Sequence, residues 1–352
     1  MTSLPTSPVA TLGDQNSTNV TQCPSVETKE WTFTVLPVYI LFIAVLGIVF
    51  NVFVLMIFCL HKKACTVAEI CLSNLAAADL ILVSSLPFWA VYAANKYIWR
   101  FSSALCRLVN LSISINAYCS IYFLVLVSID RYLALVKPLS HGRMRRPKFA
   151  KLACLLVWAL GLLLSVPTLI FREVKYIPEL NNTICRFNYP NTSVLLLCEG
   201  MLIMFSFIIP ISIISLCTFK IIQSLNKRLV EGLNTQKREQ KATTLVLAVA
   251  VAFLICWMPF HLVKILEMLV RANVLDNCSL SIFIETSKQI VIYIAFFNSV
   301  LNPILYVIVG KNFRKKVKEF FSYWSDKRRS TFSFTTSHTS LSRSVKFAAE
   351  SY

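Results

Sequence analysis

Charged side chains are scarce in this sequence, at 15% of 352 residues. That excludes an ordinary soluble domain, in which about a quarter of the residues carry charge. The 12 cysteines are scattered without the paired spacing of a zinc site, so no metal centre of that kind is expected. Residues 1–30 hold no apolar stretch, so no cleavable signal peptide is expected and the first apolar block serves as the insertion signal. The two halves show no self-similarity, unlike transporters built from internal repeats. Asp79 is the one deep carboxylate, with no His or second acid alongside. The pair needed for acid–base chemistry is lacking, and an enzyme is not expected.

What is present is apolar, 56% of the chain, and it comes in blocks long enough to cross a bilayer. The blocks are about 33–60, 67–94, 103–136, 149–171, 192–226, 237–272 and 281–309. The pattern predicts an all-α membrane protein, a bundle of seven transmembrane helices. Residues 1–32 form an N-terminal tail, 33–309 the bundle, 310–324 a short interfacial helix and 325–352 a Ser/Thr-rich tail. In that interfacial stretch Phe313, Val317, Phe320 and Phe321 recur at helical spacing among Lys and Arg, as expected of a helix lying at a membrane surface.

The net charge of +18 reports topology rather than nucleic acid, which is excluded as a partner. An odd number of spans puts the tails on opposite sides. The side bearing the C-terminal tail then carries 25 Lys and Arg and the other side 10. This asymmetry predicts an N-terminus outside the cell and basic loops facing anionic membrane lipid. Asn16, Asn19, Asn181 and Asn191 head glycosylation triplets, all on the side assigned as outside; Asn110 heads another inside span three and is expected unmodified. Four cysteines fall on that oxidising side, Cys23, Cys106, Cys185 and Cys278, and they allow three pairings among which spacing does not choose.

Ionisable groups within spans need partners or water. Asp79 has candidate partners in Asn51, Asn116, Ser120, Asn298, Ser299 and Asn302. The set suits either a sodium site, centred on Asp79, Ser120 and Asn298, or a hydrogen-bond network without an ion. Asp130-Arg131-Tyr132 closes the third block. Pro87, Pro167, Pro210, Pro259 and Pro303 fall in spans, where each removes a donor and bends its helix.

Asn51, Asp79, Cys106 with Cys185, Asp130-Arg131-Tyr132, Trp158, Pro210, Cys256-Trp257-Met258-Pro259 and Asn302-Pro303-Ile304-Leu305-Tyr306 come in order, one set per span. Together they resemble the rhodopsin-like G-protein-coupled receptors. Leu86-Pro87-Phe88-Trp89 and the segments 61–70, 128–137 and 306–311 narrow the resemblance to the bradykinin (kinin) receptors. The type 2 subfamily is the nearer, and the angiotensin receptors are neighbours.

The resemblance implies a plasma-membrane receptor without a cofactor, whose ligand is a kinin, a short peptide with Arg at both ends. A receptor for another short peptide such as angiotensin is the alternative. It implies disulfides Cys106–Cys185 and Cys23–Cys278. It implies a ligand set of Trp89, Ile113, Ser114, Phe260, Glu267, Glu285 and Gln289, with the two glutamates meeting peptide arginines. It implies that Arg131 is held by Asp130 and by Glu239 at rest and freed on activation. Trp257 acts as toggle, and Asp79, Asn116, Tyr132, Asn302, Pro303 and Tyr306 serve as further switches. The implied partners are a heterotrimeric G protein of the Gq class, with Gi second, and receptor kinases and arrestin acting on the tail.

Overall fold

The computed structural model describes residues 30, 32–60, 65–136, 146–178, 181–230, 237–275, 277–311, 313–323 and 325. Seven helices among them are long and apolar enough to cross a membrane. Spans one to seven are Thr32–Cys59, Val67–Ala94, Ser103–Leu135, Pro147–Phe171, Thr192–Asn226, Leu247–Arg271 and Cys278–Ile308. Large apolar side chains such as Val38, Phe42, Leu156, Leu163, Leu216 and Ile255 point outward and stay exposed. In water that surface would be an aggregation hazard, and in lipid it is the solvated face. The interior is where the polar groups collect, Asn51, Asp79, Asn116, Ser120, Asn298 and Asn302 among them.

Local signals set the helix starts. Thr66 and Glu69 form a reciprocal capping box on span two, with Glu69 N donating to Thr66 Oγ1 at 3.3 Å and Thr66 N donating to Glu69 Oε2 at 2.8 Å. Ser102, Asn191 and Asn277 cap spans three, five and seven through side-chain oxygens. Asn191, a predicted glycosylation site, therefore also terminates a helix.

Prolines act where expected but not alike. Span four breaks at Ser165, just ahead of Pro167, into Pro147–Leu164 and Val166–Phe171. Pro167 cannot donate to a carbonyl one turn back, while Ser165 Oγ donates to the Gly161 carbonyl at 2.7 Å. Ahead of Pro210, span five takes a π-helical turn over Met204–Ile208 instead of a plain bend. Such a turn inserts one residue and rotates the part of the helix beyond it.

The bundle is stitched by few but specific contacts. Asn51 Nδ2 donates to the Gly47 carbonyl at 2.8 Å and to the Ser299 carbonyl at 2.9 Å, tying span one to span seven. Trp158 Nε1 donates to Asn74 Oδ1 at 2.9 Å, tying span four to span two. One apolar core packs Phe123, Phe253, Trp257 and Tyr306. A second packs Ile40, Leu82, Leu86 and Phe296 between spans one, two and seven.

The connection after span four, read from the sequence simply as a loop, is a two-stranded antiparallel hairpin. Its strands are β1 (Arg172–Ile177) and β2 (Asn182–Phe187), with Val174 opposite Cys185. Asn181 adopts φ 48° in the turn, a left-handed conformation that Asn tolerates. The hairpin is fastened to the start of span three by the disulfide Cys106–Cys185. Asn110, expected to be unmodified, is buried and donates to the Cys106 carbonyl at 2.8 Å. Cys278 is also disulfide-bonded; its expected partner Cys23 lies outside the described residues, as do Asn16 and Asn19.

After span seven, residues 313–323 are helical. Phe313 is buried against Phe58 and Tyr306, and Val317 and Phe320 pack on the bundle. Phe321 stacks on Phe53 of span one at 6.5 Å and is otherwise exposed, as an apolar side chain facing lipid would be. Lys316 pairs with Glu69 at 3.0 Å. The Ser/Thr-rich tail from 326 lies outside the described residues.

Gly161 is where spans three and four touch, since a Cβ there would sit 2.4 Å from Cys119 Sγ. Gly161→Ala is expected to destabilise by about 1–3 kcal/mol. Adding Cys119→Ala should restore most of the loss, as read by thermal unfolding in detergent.

Candidate functional site

Three polar sites lie along the bundle. The first opens on the face where span one begins, as a cavity of about 240 Å³ lined by Trp89, Tyr97, Phe260, Val263, Lys264, Lys288, Val291, Ile292 and Tyr293. Its walls come from spans two, six and seven and from Tyr97 just beyond span two, and are apolar but for two lysines and the tips of aromatic rings. Of the ligand set drawn from the sequence, Trp89 and Phe260 line it. Ile113 does not line it, and packs with Trp89 against the apolar core between spans one, two and seven. Ser114 Oγ lies 2.9 Å from Thr168 Oγ1 and donates to the Asn110 carbonyl at 3.2 Å, so it braces spans three and four. Gln289 is in span seven, and its side chain lies outside the described residues.

Glu267 and Glu285, the two glutamates of that set, stand beside the lysines of the cavity, each paired with cations. Lys288 Nζ lies 2.9 Å from Glu267 Oε1 and 3.1 Å from Glu285 Oε2. Arg271 Nη2 lies 2.9 Å from Glu267 Oε1. Lys264 Nζ lies 3.4 Å from Glu267 Oε2 and 3.1 Å from Glu199 Oε1 of span five. Three carboxylates thus face three cations, and the rim is balanced rather than acidic. Lys264, Arg271 and Lys288 stand three or four residues from a glutamate of their own helix, a spacing that brings side chains together. That signal was in the sequence. Glu199 was not foreseeable, because its link to Lys264 crosses from one span to another.

Beside this rim, Arg172 of β1 rests its guanidinium over the Phe187 ring, 4.5 Å from the centroid, and its Nε is buried without an acceptor. Burial pulls this group down to about 10, opposed by the Tyr92 and Tyr189 hydroxyls.

From the cavity floor an aromatic column runs inward. Phe260 meets Trp257 edge-on at 5.7 Å, and Trp257 stacks on Phe253 at 5.6 Å. His261, which the sequence reading passed over, is buried with both ring nitrogens unpartnered. It stacks on Phe207 of the π turn at 4.5 Å, so the extra residue of span five is met by span six.

The second site is the buried carboxylate of Asp79. Oδ1 accepts from Asn116 Nδ2 at 2.9 Å and Ser299 Oγ at 2.8 Å, and Oδ2 accepts from Asn302 Nδ2 at 2.9 Å. Ser120 is reached through Asn116, whose Nδ2 also donates to Ser120 Oγ at 3.0 Å. Of the two adjacent candidates in span seven, Ser299 makes the contact, while Asn298 is buried with its Oδ1 unpartnered. Pro303 follows Asn302 inside span seven, where it has no backbone N–H to donate to the carbonyl one turn back. Tyr306, one turn on, is fully buried with an unpartnered hydroxyl and meets Phe313 edge-on at 6.1 Å.

The third site closes span three. Arg131 Nε donates to Asp130 Oδ2 at 3.0 Å, and its Nη2 donates to the same oxygen. Asp130 is buried while Arg131 is partly open. Tyr132 follows, half-buried. Glu239 falls in the helix that begins at Lys237, and its side chain lies outside the described residues.

A seven-helix bundle with a covalently pinned hairpin and a cavity at one end and an Asp–Arg pair at the other has the layout of a membrane receptor. The family model for the 7 transmembrane receptor (rhodopsin family) matches residues 50–306. The chain belongs to the rhodopsin family of seven-transmembrane receptors, and so among receptors rather than enzymes. It is 47% identical over 302 residues to the B2 bradykinin receptor of Homo sapiens, covering 85% of this chain and 77% of that one. It is 46% identical over 301 residues to the B2 bradykinin receptor of Oryctolagus cuniculus, covering 85% and 82%. To the B1 bradykinin receptor of Homo sapiens it is 37% identical over 313 residues, 88% of each chain.

Replacing Asp79 by Ala strands three donors from spans three and seven, at a cost of about 1–3 kcal/mol for each buried unpaired group. Asp79→Ala is therefore expected to lower the melting temperature in detergent by several degrees. Asp79→Asn, which keeps one acceptor oxygen, should lower it less.

Proposed function

We propose that this protein is a plasma-membrane receptor for kinin peptides, with its N-terminus outside, that activates heterotrimeric G proteins of the Gq class first and Gi second. The observation that carries the reading is the cavity: an apolar floor of Trp89 and Phe260 beneath a rim holding Glu199, Glu267 and Glu285. A peptide with apolar residues and a terminal arginine suits that division, its guanidinium exchanging for a lysine on a rim carboxylate, a pairing that is directional. Similarity to B2 and B1 bradykinin receptors supports the same ligand class. The disulfide Cys106–Cys185 supports an oxidising environment for the cavity face. The glycosylation triplets at Asn16, Asn19, Asn181 and Asn191 suit that side.

The mechanism is a population shift. The agonist binds one packing of the spans better than the other and biases the bundle toward it. The peptide presses on Phe260 and Trp257, and the aromatic column hands the displacement to spans five and six. Kinked helices ahead of Pro259 and Pro303 supply the hinges. On the opposite face Arg131, held by Asp130 and Glu239 at rest, is released toward a G-protein α subunit, with Tyr306 and Tyr132 moving alongside. Asn51, Asn298 and Asn302 each hold a buried oxygen without a donor, the chemistry that a small cation satisfies beside Asp79 and Ser120. Phosphorylation by receptor kinases in 325–352 adds negative charge for arrestin, and the basic face meets anionic lipid.

Bradykinin is expected to accelerate nucleotide exchange on Gαq by the receptor in lipid, and Arg131→Ala should abolish exchange while binding persists. Glu267→Gln with Glu285→Gln is expected to weaken bradykinin binding on the order of 10-fold or more, at unchanged surface expression. No exchange on any Gα with any kinin would reject the reading.

A further inference from the structure

The rim carries as many cations as carboxylates, and the two charged side chains that line the cavity itself are lysines, Lys264 and Lys288. They are 24% and 30% exposed, within reach of a guest. A guest bringing only positive charge has to push a lysine away from its glutamate and leave that ammonium without a partner at an apolar surface. Such unpaired charge is costly. A guest bringing one charge of each sign exchanges into the cluster with every charge still paired. The N-terminal residue of a peptide with an arginine there carries a guanidinium and an ammonium, both positive. A C-terminal arginine carries a guanidinium and a free α-carboxylate.

We propose that Lys264 and Lys288 recognise the free α-carboxylate of a peptide whose last residue is cationic, while the side chain of that residue exchanges onto Glu267 and Glu285. This rests on the kinin reading and adds to it which end of the peptide enters and which charge the lysines read. Geometry favours a shared post. Lys288 bridges Glu267 and Glu285 at 2.9 and 3.1 Å, so a guanidinium arriving between these carboxylates takes its position and turns the ammonium toward the carboxylate behind it. Lys264 joins span six to Glu199 of span five at 3.1 Å. Drawing it onto the ligand loosens that link, next to the π turn where His261 stacks on Phe207. Arg271 remains on Glu267 at 2.9 Å and holds the rim together during the exchange. The cavity is small for a whole peptide, and a single terminal residue suits it better than a mid-chain loop.

The test compares bradykinin as the free acid with its C-terminal amide on the full-length receptor in membranes, by competition binding, with surface expression as the control for folding. On the unaltered receptor the amide is expected to bind on the order of 10- to 100-fold more weakly, the range for losing a charge-assisted contact. In Lys264→Met with Lys288→Met the two peptides should bind within about 3-fold of each other, chiefly because the acid weakens. Equal binding of acid and amide by the unaltered receptor overturns the proposal and leaves the kinin reading intact. An undiminished acid preference in the double variant also overturns it, since the carboxylate is then read elsewhere. If the double variant does not reach the surface, the single variants decide: the preference must fall in at least one of them. Failure of both peptides to bind the unaltered receptor rejects the kinin reading and the proposal with it.

Discussion

The carboxylate of Asp79, set midway through the bundle, is the constraint that most of the packing answers to. A buried acid requires donors in fixed places, and here they come from Asn116 on span three and from Ser299 and Asn302 on span seven. Three helices are thereby set in depth and rotation relative to one another. Span one is held to the same point by Asn51, which reaches the Ser299 carbonyl. Apolar packing alone would not choose that register, because in lipid the outside of each helix is as well solvated as its inside.

Around this fixed centre the two ends differ in how they handle charge. At the far end of span three from the cavity Asp130 and Arg131 are paired within one turn, a contact between neighbours in sequence. At the cavity the charges are paired between helices, Glu199 with Lys264 and Glu267 with Lys288. Closing those pairs draws spans five, six and seven together over an apolar floor. The aromatic column of Phe260, Trp257 and Phe253 continues from that floor toward the core.

Much of this was legible in the residues themselves. Seven apolar blocks, the polar positions inside them, the capping box at Thr66 and Glu69, and the amphipathic run after span seven depend on local spacing, which a sequence displays directly. Motifs led to the right family because they place one polar signature in each span. The rim was read less well. Glu267 and Glu285 stood out as acids, but Lys264, Arg271 and Lys288 beside them were passed over, though their helical spacing marked them as partners.

By itself the sequence determined how many helices cross the membrane, where they start, and which residues have to be kept from lipid, since length, capping and polarity act within one segment. The tertiary structure alone decided who faces whom. Asn298 and Ser299 are adjacent in sequence yet about 100° apart around their helix, and only the rotation of span seven puts Ser299, not Asn298, on Asp79. The link from Glu199 to Lys264 is of the same kind. It crosses from span five to span six, as does the stacking of Phe207 against His261, contacts between distant segments that no local pattern encodes.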